Sequence, residues 1–286
     1  MAKVKIVSDS TCDLGKEILS KLNVDVIPLY IEHEGKVFKD GEDITTEEMY
    51  KLIETSGKLT KSSCRAPEEL RLFFKKFLDE GYDEVVYMGI GSTLSATFNN
   101  ARLAALELGT DKVFVVDSKN LSSGIGLLVY KACEFRDQGL NGQEIAEKLD
   151  VLVPRVRSQF VIDKFDNLYK GGRCSGMARI FGTMLRIKPN IKVVDGKLEV
   201  ARKPIGMKRG LLAMIQDIEL DFNNNNVDLG HVMVTHSFAD KDAQFIIPRL
   251  VALGIPEEKI VETKAGCVIS THCGEGCIGI LYIVNN

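Results

Sequence analysis

Three short segments of this chain share one layout: an apolar run followed at once by a loop of small polar residues. They are Val7-Ser-Asp-Ser-Thr11, Met88-Gly-Ile-Gly-Ser-Thr93 and Val116-Asp-Ser-Lys-Asn120. Between them lie stretches with helical spacing, at Leu14–Leu22, from Pro67 to Gly81 and at Leu94–Leu108. Strands separated by helices of this length build βαβ units and a parallel sheet. In an open parallel sheet ligands bind in the crevice at the carboxyl ends of the strands, where these polar loops would gather.

The remaining signals of the first half agree. Lys3–Val7, Val24–Ile31, Glu84–Met88 and Val113–Val116 read as strands, with a turn at Glu34-Gly35. Thr45-Thr-Glu-Glu48 has the form of a capping box that starts a helix to about Glu54. Pro67 suits a first helical position, ahead of an apolar stripe of Leu70, Phe73, Phe74 and Phe77. Gly124–Arg136 and Glu144–Val153 are helical, with Asn141 and Glu144 able to cap the second.

The second half changes character. Ile191–Val194 and Leu198–Ala201 flank Asp195-Gly196, a strong hairpin signal. Ser158–Ile162, His231–Thr235, Lys259–Thr263 and Ile278–Val284 read as further strands, and Met207–Leu220 and Ala243–Leu253 as helices. The expected fold class is α/β: a parallel-sheet, Rossmann-like domain over residues 1–155 and a mixed-sheet α/β domain over residues 156–286.

Composition narrows the partners. The 286 residues carry 37 basic and 40 acidic side chains, a net charge of −3 without a polybasic run, which argues against nucleic acid. The N-terminus turns polar too soon for a signal peptide, and no apolar run reaches membrane-spanning length. Seven cysteines, an odd number in a chain without a secretory signal, point to reduced thiols and a cytoplasmic location.

Candidate chemistry collects in four places. Lys61-Ser-Ser-Cys-Arg-Ala-Pro67 runs as a polar loop into a helix N-terminus, and Ser92 to Ser95 precede another. Helix N-termini hold anions well, so Ser62, Ser63, Ser92 and Ser95 could converge on one carboxylate or phosphate, or simply cap helices. Gly171-Gly172 permits close backbone approach before Arg173, whose planar fork can hold an anion or stitch backbone carbonyls. Met177, Ile180, Phe181, Met184, Leu185 and Ile187 then form a broad apolar surface, either plain core or an adaptable pocket wall. Finally, Cys267-Val-Ile-Ser-Thr-His-Cys-Gly-Glu-Gly-Cys277 offers a metal site, a reactive thiol or a polar clamp, although its C-x5-C-x3-C spacing is not a common zinc pattern. His33, in a charged turn, is expected to be solvated. No dinucleotide fingerprint, P-loop or G-x-S-x-G elbow is present.

Taken together, several of these motifs resemble the DegV family of bacterial fatty-acid-binding proteins. They are Ile6-Val-Ser-Asp-Ser-Thr-Cys-Asp-Leu14, the Lys61–Pro67 loop, Ile90-Gly-Ser-Thr-Leu-Ser-Ala-Thr-Phe98, Val116–Asn120, Leu168-Tyr-Lys-Gly-Gly-Arg173, Ile187-Lys-Pro189 and Thr271-His-Cys-Gly-Glu-Gly276. The resemblance implies two α/β domains with one long-chain fatty acid buried between them, and a separate ATP-dependent kinase that phosphorylates its carboxylate for phospholipid synthesis. It implies that Ser62, the Ser92–Ser95 loop and His272 with Thr271 meet the head group, that Arg173 matches the family arginine, and that Arg202 docks the kinase. No cofactor or metal is implied. Arg65 and Ala96 depart from the family pattern and bear on the entrance, while Cys273 and Cys277 stand as small packing substitutes. A competing reading is a stand-alone phosphoryl- or acyl-transfer enzyme using Asp9, Ser10 and His272; an interaction module without a ligand is a third.

Overall fold

The computed structural model describes residues 2–174 and 186–286; of the apolar surface named above, Met177, Ile180, Phe181, Met184 and Leu185 lie outside the described residues. In chain order the first half forms β1 (Val4–Asp9), α1 (Lys16–Lys21), β2 (Asp25–Ile27), β3 (Tyr30–His33), β4 (Lys36–Lys39), α2 (Thr46–Ser56), β5 (Lys61–Ser63) and α3 (Pro67–Asp79). It continues with β6 (Glu84–Gly89), α4 (Thr97–Glu107), β7 (Val113–Asp117), α5 (Ser123–Asp137) and α6 (Gly142–Leu152). The second half forms β8 (Val156–Val161), α7 (Asp166–Gly171), β9 (Asn190–Val194), β10 (Lys197–Arg202), α8 (Met207–Asn223), β11 (Val232–Ser237), α9 (Asp240–Ala252), β12 (Ile260–Lys264), α10 (Cys267–Cys273) and β13 (Cys277–Ile283).

Strands β2-β1-β6-β7 form a parallel sheet in that order. Every residue of β1 is buried because helices cover both sheet faces, which is why β1 reads as continuous rather than alternating. The register sets Ser8 opposite Met88 and Gly89 opposite Asp117, so the three polar loops do emerge along one edge. They are tied together there: Asp9 Oδ2 accepts from the Ile90 N–H at 3.0 Å, and the Gly91 N–H donates to the Asn120 carbonyl at 2.8 Å.

The caps behave as the sequence implies. Thr45 with Glu48 and Asn141 with Glu144 form reciprocal capping boxes, and Pro67 opens α3. Leu70, Phe74 and Phe77 of α3 bury against the sheet, where Phe74 meets Tyr87 edge-on at 5.5 Å.

The short elements β4, α7 and α10 are not among those read from sequence, and two stretches differ from their reading. Val24–Ile31 is not one strand: it breaks at Pro28, which has no N–H for a ladder. β2 stays in the parallel sheet, while β3 joins a separate antiparallel sheet of order β4-β3-β5. The Lys61–Pro67 stretch is therefore only partly a loop, because Lys61–Ser63 is the third strand of that small sheet, with Ser62 opposite Ile31. His33, expected in solvent, is 7% exposed in β3, where it pairs with Lys36 of β4.

The second sheet is mixed and six-stranded, β10-β9-β8-β13-β11-β12. Its β9–β10 hairpin turns at Asp195 (φ 47°) and Gly196 (φ 79°), the left-handed pair a tight two-residue turn demands. The largest core cluster draws on both halves, joining Ile6 and Val86 to Phe160 and Leu281, with the buried Ile125 and Leu128 of α5 among them. Among the described residues no helix is long and apolar enough to cross a membrane.

Candidate functional site

The small sheet and α10 bring together residues distant in sequence. Helix α10 is only seven residues long and buried at all but one position, so it lacks the one-sided apolar period that marks a surface helix. Its sequence neighbours Gly266 and Gly274 bound it instead. On the side facing the small sheet, Thr271 Oγ1 and Thr60 Oγ1 share a hydrogen bond of 2.8 Å, and one residue further on His272 Nε2 lies 2.7 Å from Ser62 Oγ. Helix α7 packs on the other side, where Asn167 Nδ2 donates to the Thr271 carbonyl at 3.0 Å.

This pair stands in the wall of a cavity of about 240 Å³ lined by both halves of the chain. Its polar contributions are Ser62, Ser63, Ser95, His272 and the exposed Arg173; its apolar walls include Leu29, Ile90, Leu121, Leu198, Val268 and Ile269. Leu121, Ile269 and Cys273 also wall a second, smaller cavity of about 30 Å³, bounded further by Phe160 and Leu281. The result is a polar cluster opening on a largely apolar interior.

Burial, and then the positive charge of Arg173, push the His272 imidazole down to about 4, so it is neutral at physiological pH. Its Nδ1 is buried without a partner. Arg173 turns back on its own loop, with Nη1 donating to the Gly171 carbonyl at 2.6 Å.

The other residues singled out from sequence take different places. Ser95 lines the cavity while its hydroxyl accepts from the Thr97 N–H at 3.2 Å. Ser92 faces Asp117 instead: its hydroxyl donates at 2.6 Å and its N–H at 3.0 Å, and it does not line the cavity. Thr271 is directed at Thr60 and the Met49 sulfur, behind the cavity wall. Arg202 lies on the surface, donating to the Ala213 carbonyl at 2.8 Å and to Asp217 at 2.6 Å. Arg65 is turned inward, 5% exposed, stacked 3.8 Å from the Tyr30 ring and paired with Glu69 at 2.7 Å. It does not line the cavity. Asp9 spends its carboxylate on Thr11, Tyr87 and Ile90, and Ser10 Oγ accepts from the Leu29 N–H at 3.1 Å. Neither lines the cavity with His272, so the acid, nucleophile and base of the enzyme reading do not converge.

Six of the seven cysteines are buried, and only Cys64 is more than marginally exposed. Burial pushes the thiols of Cys12 and Cys267 up to about 12 and that of Cys133 to about 11, and Cys273 with burial raises Cys277. Such thiols are poor metal ligands and nucleophiles. Among the described residues the one group with metal-compatible spacing is His236, Asp240 and Glu262. There His236 Nδ1 accepts from the Ala239 N–H at 3.1 Å, which leaves the ring proton on Nε2, directed at Glu262 at 3.1 Å. Neither ring nitrogen offers a free lone pair to a cation.

Known proteins share this fold. The family model described as an uncharacterised protein of the DegV family matches residues 3–285. A DegV domain-containing protein of Clostridium acetobutylicum is 33% identical over 284 residues, with 99% of each chain covered. A Thermotoga maritima protein named as a fatty acid-binding protein is 32% identical over 283 residues, covering 97% of this chain and 96% of that one. The solved structure of a DegV family protein from Thermus thermophilus, described for its fatty acid binding, matches with a TM-score of 0.90 at 26% identity, covering 99% of this chain and 100% of that one. With one family model matching almost end to end and the same fold in its relatives, the chain belongs to the DegV family.

Proposed function

We propose that this chain binds a long-chain fatty acid, its tail in the apolar cavity and its carboxylate at Ser62 and His272. The single observation that carries the reading is the 2.7 Å bond between Ser62 and His272 in the wall of an otherwise largely apolar cavity. A carboxylate leaving water needs donors. We assign the His272 proton to Nε2, because a buried N–H without an acceptor at Nδ1 would cost more than a bare lone pair there. Nε2–H then donates to Ser62 Oγ, and the Ser62 hydroxyl proton is free for the ligand. Ser63, Ser95 and Arg173 line the same cavity and complete the polar end. Ser92 and Thr271 act from behind, by holding the loop and helix that carry the contacts. The tail supplies affinity, at about 0.8 kcal/mol per buried methylene. Two relatives named or described for fatty acid binding support the ligand class.

The same reading extends to a carrier role in the cytoplasm. The bound carboxylate is presented to a separate ATP-dependent kinase, which converts it to an acyl phosphate for phospholipid synthesis, with Arg202 at the docking face. Carriage of this kind calls for no cofactor or metal. The chain has no phosphate-cradling glycine loop of its own, which favours a partner over self-catalysis.

The direct test is mass spectrometry of lipid released on denaturing natively purified protein, repeated after incubation with oleate. A stoichiometric fatty acid is expected; none before and none after incubation overturns the ligand reading. Acyl phosphate trapped as a hydroxamate only when kinase, ATP and loaded protein are combined tests the second step.

A further inference from the structure

Helix α10 belongs to the second half of the chain, yet both of its ends are held by side chains of the first. At its C-terminal end His272 meets Ser62. At its N-terminal end Asp13 Oδ1 accepts from the Gly266 N–H at 2.8 Å, while Asp40 accepts from the Cys267 N–H at 2.8 Å and the Val268 N–H at 3.4 Å. Thr46 adds a bond from its hydroxyl to the Ala265 carbonyl at 3.1 Å.

Two carboxylates on one short helix are more than capping requires. A single serine or aspartate satisfies a helix start, and two buried carboxylates brought together repel. Asp13 is 6% exposed and Asp40 4%. Both come within 3.3 Å of where a β-carbon on Gly266 would stand, so the glycine is what lets them converge. Each is also tied to the first half. The second oxygen of Asp13 accepts from the Ser122 hydroxyl at 2.5 Å, and Asp13 itself sits in a left-handed turn (φ 50°) at the end of the loop after β1. Asp40 follows β4 directly, its own N–H donating to the Leu29 carbonyl at 2.9 Å.

Hydrogen bonds to two separately anchored carboxyl groups help set both the axial position and the rotation of a rod. With one such bond the rotation would rest on the Thr60 and Asn167 contacts near the other end. The rod here spans on the order of 10 Å, so a small tilt at its start moves its far end by a comparable amount. At His272 a shift of about 1 Å is enough to take a 2.7 Å contact out of hydrogen-bond range.

We propose that Asp13 and Asp40 are positioning residues for His272, setting α10 from its N-terminal end so that the imidazole meets Ser62. The ligand side of this inference rests on the fatty acid reading above; the geometric side does not.

The test uses the full chain with Asp40→Asn and, separately, Asp13→Asn, which keep shape but leave one acceptor oxygen where both are used. Gly266→Ala is a milder third variant that crowds both carboxylates without altering either. Asn141→Ala, which removes the cap of the distant α6, serves as a control for lost stability alone. Oleate affinity is read by displacement of a fluorescent fatty acid, and the His272 ring by its imidazole NMR resonances without ligand. For Asp40→Asn an affinity loss of up to about tenfold is expected, the range of a lost hydrogen bond, together with a displaced His272 resonance. Gly266→Ala should move both in the same direction, and Asn141→Ala should lower the melting temperature and move neither. Unmoved His272 resonances and wild-type affinity in Asp40→Asn, Asp13→Asn and Gly266→Ala would overturn the proposal, whatever their melting temperatures. If the wild type itself takes up no oleate, the ligand reading fails and the His272 resonances alone decide the positioning role.

Discussion

The Cα of Gly171 lies so close to the His272 ring that a β-carbon there would stand 2.7 Å from Nδ1. Helix α7 ends against the imidazole, and only a residue without a side chain lets it do so. The same residue's carbonyl takes the Arg173 guanidinium, so ring, glycine and arginine lie together beside the cavity.

Gly171→Ala should therefore separate binding from stability. Alanine favours a helix by about 0.5–1 kcal/mol over glycine, which offsets part of any strain and keeps the melting temperature near the wild-type value. The displaced imidazole should weaken fatty acid binding by about tenfold or more. Titration with a fluorescent fatty acid checks this; unchanged affinity would show that the ring has room to move.

Ser62→Ala and Ser92→Ala should part in the opposite sense. Ser62 is proposed to give its proton to the ligand, so its loss should cost about 1.5–3 kcal/mol of binding, as for a hydrogen bond to a charged group. Ser92 gives its proton to Asp117, so its loss should lower stability by about 1 kcal/mol and leave affinity intact. Paired calorimetric titrations and urea melts distinguish the two patterns.

His272 should leave a signature in the pH dependence of folding. Its pKa falls from the ordinary 6.5 to about 4 on folding. Between those values the unfolded chain binds a proton that the folded chain refuses, so stability drops as pH falls through that window. Full expression amounts to about 3 kcal/mol by pH 4. Buried Asp9, Asp13 and Asp40 are shifted upward by desolvation. As pH falls toward the ordinary carboxylate range they take up protons before the unfolded chain does, and so act with the opposite sign. The difference between wild type and His272→Gln isolates the histidine: the variant should lose less stability between pH 7 and pH 4. Parallel curves would contradict a buried neutral imidazole.

Thiol chemistry offers a footprint of the ligand. Six cysteines are buried, and Cys64 alone combines partial exposure with a place in the cavity wall. Brief iodoacetamide treatment of the native protein should modify Cys64 first, as read by peptide mass spectrometry, and saturating oleate should protect it. Equal labelling with and without oleate would place the ligand elsewhere.

How much of this was legible beforehand depends on how local each signal is. The βαβ alternation, the Thr45 and Asn141 caps, the Pro67 helix start and the Asp195-Gly196 turn all depend on residues within one element, and they read correctly. Pro28 was visible too, but only pairing partners reveal that the chain changes sheets there. Helix α10 carried no period to read, because it is buried almost all round. Ser62 and Ser92 looked alike as serines ahead of helices; one faces His272 across 210 positions of chain and the other faces Asp117.

The sequence by itself determined the strands, the helices with one apolar face, their caps and turns, and through its ordered motifs the family. Those follow from short-range spacing and the conformational limits of single residues. Tertiary structure alone decided which hydroxyls meet the imidazole, that the ring is neutral with a bare Nδ1, and that Asp13 and Asp40 hold the far end of α10. The physical reason is that burial and hydrogen-bond partnership belong to contacts between elements. A histidine carries its neighbours in sequence wherever it goes, but its charge and direction are set by what packs against it.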